Sequence, residues 1–121
     1  MTDEQAWAIV YYTDEAGNRP VREFLQRLDL KTQARFDWSI EQLQVLNVHA
    51  HEPLVKHLEG KLWELRRSSD GNIYRVLYFF FTGRKIVLLH GFQKKSEKTP
   101  RQEMETAKRR MEDFIKRTGG E

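Results

Sequence analysis

Apolar residues change their spacing several times along the chain, and each change predicts an element. A short run, AWAIVYY at 6–12, reads as a first β-strand ended by the turn-forming stretch TDEAGN. Pro20 then opens a helix carrying Val21, Phe24, Leu25 and Leu28 at helical spacing. A longer helix begins after Asp29, with Leu30, Ala34, Trp38, Ile40, Leu43 and Leu46 as its stripe, and ends near Val48. The segment HAHEPLVKHLEG, broken by Pro53 and closed by Gly60, reads as a connecting loop. Three strands follow: KLWELRRS, IYRVLYFFFT and KIVLLHGFQ, separated by SSDGN and by Gly83–Arg84. They predict an antiparallel meander. From Pro100 to about Arg117 a helical stripe returns with Met104, Ala107, Met111, Phe114 and Ile115, and GGE is a frayed end. The order β-α-α-β-β-β-α is that of an α+β fold: a small, mostly antiparallel sheet with the first two helices on one face, and a C-terminal helix. No repeat or linker divides it, so residues 1–121 form one domain.

Strand alternation sorts the charges. Leu62, Glu64 and Arg66 share one face, and Trp63 and Leu65 the other. Arg75, Leu77 and Phe79 likewise lie opposite Tyr74, Val76 and Tyr78, and His90, Phe92 and Lys94 fall together with Lys95 just past the strand. A meander can gather Glu64, Arg66, Arg75 and His90 on one patch. One face is then core, and the other a shallow basic surface with some aromatic lining. Arg67, on the opposite face, reads as a surface charge, and Phe79–Phe81 as core.

Composition sharpens this picture. The net charge of +3 hides a segregation: residues 1–53 carry −4 (five Lys/Arg against nine Asp/Glu), residues 54–99 carry +6 (ten against four) and residues 100–121 carry +1 (six against five). A field of one sign on one region favours a polyanionic partner. Absence of cysteine excludes disulfides and thiolate metal sites and fits a cytoplasmic location. The acidic start MTDEQ is wrong for a signal peptide, and no apolar stretch approaches the roughly 20 residues of a membrane helix, so no membrane partner is expected. His49 and His51, with Glu52 and His57, form a poor metal set, because a spacing of two in a loop organises nothing; neither metal nor cofactor is expected.

A basic sheet face suits RNA. Arginine forks match phosphate oxygens, lysine supplies a point charge, and aromatics stack on unpaired bases. Cleavage on such a face has a 2′-hydroxyl lose its proton and attack the adjacent phosphorus while the 5′-oxygen leaves. Glu64 or His90 is the candidate base; Lys94, Lys95 or His90 is the candidate acid. Arg66 and Arg75 are placed to stabilise the phosphoryl oxygens, and Lys61, at the start of its strand, to bind RNA.

The runs LEGKLWELR, YRVLYFF and LLHGFQKKSEKTP, followed by the helix starting QEMETAKRR, resemble the RelE/ParE superfamily of bacterial toxins, in particular its HigB-like, phage-related branch. WELR at 63–66, YRVLY at 74–78 and HGFQKKS at 90–96 carry the resemblance. It implies a RelE-like fold and the toxin of a type II toxin–antitoxin pair, a metal-independent endoribonuclease that cuts messenger RNA on the ribosome. The implied partner is a small antitoxin, in this branch commonly a helix-turn-helix protein. The strand arginine and later basic residue that contact the scissile phosphate in RelE-type members match Arg75 and Lys95. A lysine of some RelE proteins falls on Glu64, and the C-terminal helix lacks the tyrosine found in RelE. The same scaffold also hosts ParE-like inhibition of DNA gyrase by protein contact, and inactive relatives that only bind antitoxin or RNA.

Overall fold

A computed structural model describes residues 7–95 and 98–119. Its elements are β1 (Ala8–Tyr11), α1 (Pro20–Gln26), α2 (Leu30–Leu46), a single 3-10 turn at Asn47–His49, β2 (Val55–His57), β3 (Trp63–Ser69), β4 (Asn72–Phe81), β5 (Lys85–Lys94) and α3 (Arg101–Arg117). The expected frayed GGE end at Gly120 and Glu121, the first residue of AWAIVYY, and Ser96 of HGFQKKS lie outside the described residues.

The strands form one mixed sheet in the order β1-β5-β4-β3-β2. The meander β3-β4-β5 is antiparallel as expected, and β1 joins β5 in parallel. The expected order needs one correction. HAHEPLVKHLEG is not loop throughout, because Val55–His57 pairs antiparallel with Trp63–Leu65 as an edge strand. Three residues are too few to show an alternation, and Pro53 masks the run; burial of Val55 fixes it. Asp70 and Gly71, both at positive φ, form the two-residue turn between β3 and β4.

Each face of the sheet has its own core. On the first, Val21 and Leu25 of α1 and Phe36, Ile40 and Leu43 of α2 pack on Leu65, Val76, Tyr78, Ile86 and Leu88. Pro20 at the first turn of α1 and Asp29, whose carboxylate accepts the Thr32 amide at 2.8 Å, begin the helices where the sequence predicts. The α2 stripe is rotated from the expected one. Leu30, Trp38 and Leu46 are exposed, while Phe36 is fully buried with Thr32 and Ser39 beside it. Small hydroxyl residues blur the hydrophobic pattern, yet Thr32 is satisfied by Ser69 at 2.8 Å and packs inward.

The second face departs from the expectation of a bare basic surface. There α3 lays Met104, Ala107, Met111, Phe114 and Ile115 over Leu77, Phe79, Val87 and Leu89. An amphipathic C-terminal helix needs an apolar floor, and this face supplies it. Past α3 the sheet ends in an open hollow lined by β3, β4 and β5.

Candidate functional site

That open end is where the cations gather. Arg66 of β3 sits directly across from Arg75 of β4. Like charges facing one another on neighbouring strands destabilise a sheet unless an anion lies between or beside them. On β5 a bulge shifts the parity: Leu77 pairs with His90 but Tyr78 with Leu88, leaving Leu89 as the extra residue. Phe92 and Lys94 thereby join the face of Arg75, as the alternation predicts.

Arg66, Arg67, Arg75, Lys94 and Lys95 all line one open hollow of about 800 Å³, walled also by Pro53, Gly71 and Gln93. Among the described residues no carboxylate or imidazole lines it. Lys95 is exposed at the rim, whereas Arg75 and Lys94 are buried, at 5% and 6% exposure. Among the described residues, the buried Nε atoms of Arg66, Arg67 and Arg75 have no hydrogen-bond partner.

Glu64 stands behind Arg75, not in the hollow. It is completely buried, its Oε1 accepting from Arg75 Nη1 and its Oε2 from the Thr99 hydroxyl at 2.8 Å. Both oxygens are engaged, which aims the guanidinium and leaves the carboxylate remote from any substrate. Thr99, just ahead of α3, gave no sequence signal because its role depends on a contact 35 residues away.

His90 also lies off the hollow. Arg110 can only donate, so its Nη1, 3.1 Å from Nδ1, makes that nitrogen the acceptor. Nε2–H then donates to Glu103 Oε1 at 2.5 Å, and the ring stacks on Phe92 with centroids 5.6 Å apart. Burial pushes the imidazole pKa down, Arg110 and Arg109 push the same way, and Glu103 opposes them. A neutral His90 pinning α3 to β5 is the consistent description. Lys61 is exposed in the turn before β3, at the other end of that strand from the hollow. The structure thus brings Arg66, Arg75, Lys94 and Lys95 together and leaves Glu64, His90 and Lys61 outside.

Arg67 lies on the face opposite Arg75, as alternation predicts, since it pairs with Tyr74; it nevertheless contributes to the wall of the hollow. Its guanidinium lies over the Trp38 ring of α2, 5.8 Å from the centroid. Among the described residues no group of three His, Cys, Asp or Glu side chains is arranged to hold a metal ion. No described helix is long and apolar enough to cross a membrane.

The family model of Phage derived protein Gp49-like (DUF891) matches residues 23–112, three quarters of the chain and every residue of the hollow. The chain belongs to the Gp49-like family. That family is related to the RelE/HigB-type toxins. No curated protein matches the chain. The Gp49-like match runs from within α1 into α3 and takes in α2 and β2 to β5.

Proposed function

We propose that this Gp49-like protein is the toxin of a toxin–antitoxin pair, acting in the cytoplasm as a ribosome-dependent endoribonuclease on messenger RNA. The observation that carries the reading is the convergence of Arg66, Arg75, Lys94 and Lys95 on one hollow that contains no described carboxylate. Such a hollow is complementary to a phosphodiester and more so to its doubly charged transition state.

In this reading the 2′-hydroxyl oxygen attacks the neighbouring phosphorus, and its proton passes to water at the open mouth. Arg75, held by Glu64, and Arg66 opposite it take the non-bridging oxygens as charge builds on them. The bond from phosphorus to the 5′-oxygen breaks, and the Lys95 ammonium at the rim supplies the proton that the leaving oxygen needs. The products are a 2′,3′-cyclic phosphate and a 5′-hydroxyl. A 2′-hydroxyl that gives its proton to water goes without the factor of about 10²–10⁴ that a general base supplies. Alignment of the message by the ribosome would compensate, and ribosome-bound RNA is the substrate that the resemblance to RelE-type toxins implies. A small helix-turn-helix antitoxin is the expected partner, and an acidic segment laid over the hollow would silence it.

Purified protein added to translating ribosomes is expected to cut the message, leaving those two termini. Arg75→Ala should lower cleavage by about 10²-fold or more. Because that variant strands Glu64, Lys95→Ala serves as a second probe on the exposed rim, with reduced cleavage and unchanged melting. Intact message at stoichiometric protein, or full activity in both variants, overturns the proposal; inhibition of gyrase supercoiling by that same preparation would move it to the ParE-like class.

A further inference from the structure

Beside the hollow runs a second cleft that the phosphate chemistry does not use. Its volume is about 480 Å³, and its walls are Trp38 and Leu46 of α2, Pro53 and Leu54 ahead of β2, and Arg66 and Arg67 of β3. Pro53, Arg66, Arg67 and Ser68 line both cavities, so the two adjoin. In the second cleft Trp38 is 53% exposed, in a helix whose apolar stripe points elsewhere.

An exposed indole in contact with an arginine, next to a cluster of cations, serves a particular kind of ligand. An apolar peptide would cover the ring but desolvate the cationic Arg66 and Arg67 side chains that line the cleft, with no anion to pair them. A free phosphate would pair with the guanidinium charge and leave the ring in water. One nucleotide of a single strand offers both at once: a flat base for the indole and a phosphate for the guanidinium groups.

We propose that Trp38 and Arg67 form a stacking platform for an unpaired nucleobase of the RNA strand whose scissile phosphate occupies the neighbouring hollow. The inference rests on the phosphate-binding reading of that hollow and adds how the strand is held on one side of the cut. Trp38 is a binding residue here: it fixes the nucleotide beside the reacting one and, through stacking strength, favours some bases over others there.

Two probes separate the parts: a short single-stranded oligoribonucleotide, with a 2′-deoxy sugar at the cutting position, and its abasic sugar–phosphate counterpart. Trp38→Ala should weaken binding of the oligoribonucleotide about tenfold or more and leave the abasic strand unaffected. Trp38→Phe should keep most of the affinity, and Arg75→Ala should weaken both strands. Unchanged oligoribonucleotide binding by Trp38→Ala, while Arg75→Ala still weakens both, overturns the platform and leaves the hollow's reading intact. If Arg75→Ala weakens neither strand, the phosphate reading itself fails and the platform falls with it. If Trp38→Ala loses only antitoxin capture, the platform is likewise overturned and the cleft belongs to protein recognition.

Discussion

Arg75 carries two duties that can be pulled apart. Its side chain completes a buried ion pair with Glu64 and also faces the hollow. Removing one partner of a buried pair leaves the other charge desolvated and unmatched, a loss of about 3–5 kcal/mol, whereas removing both is far milder. Glu64→Gln should therefore destabilise the protein by an amount in or just below that range, since the amide keeps its bond to Thr99 but loses its charge. The double variant Glu64→Gln/Arg75→Gln should regain part of that stability in urea unfolding while remaining inactive. Equal stability of Glu64→Gln and wild type would show that the pair holds nothing together. At this scale much was legible in the sequence. Alternation put Glu64, Arg66 and Arg75 on one face, and they are there. What alternation cannot see is depth: Glu64 sits beneath the arginine instead of beside the substrate, and Arg67 and Trp38 meet across two elements far apart in the chain.

Elements were legible in proportion to their length and to how regularly they alternate. The meander, α1 and α3 stand where their apolar spacing predicts, because each buries a face against a neighbour wide enough to enforce the period. Val55–His57 was illegible as a three-residue edge strand, and the α2 stripe was rotated because Thr32 and Ser39 take core positions. The second core could not be read from charge, since α3 hides apolar side chains beneath a polar exterior. Gly91 shows how an element junction can mimic a functional motif. It belongs to HGFQKKS, yet a Cβ there would come within 2.4 Å of the Phe24 ring, so α1 rests directly on β5 at this glycine. Overpacking of this sort destabilises by about 1–3 kcal/mol. Gly91→Ala should accordingly melt several degrees lower. In a Phe24→Ala background the same substitution should be nearly neutral, which a double-mutant cycle will measure. Loss of cleavage by Gly91→Ala with an unchanged melting temperature would contradict this packing role.

Across the whole molecule, the +6 balance of residues 54–99 has a geometric counterpart. Five of the ten Lys/Arg of that segment, from β3, β4 and β5 and the residue just past β5, line the hollow, while Lys61 stands apart in its turn. A focused field and a diffuse one predict different salt behaviour. Binding of a single strand releases counterions, so the logarithm of affinity falls with the logarithm of salt by roughly 0.7 for each phosphate neutralised. If the hollow is the electrostatic centre, Lys95→Ala should reduce that slope by about one such contact and weaken binding of every sequence alike. Lys61→Ala removes the same unit of charge and should leave both slope and affinity close to wild type. Titrating one labelled oligoribonucleotide at several salt concentrations against the two variants is sufficient. Equal flattening by both would mean that the strand senses only net charge, and the grouping of cations at the sheet's end would then have no special hold on RNA.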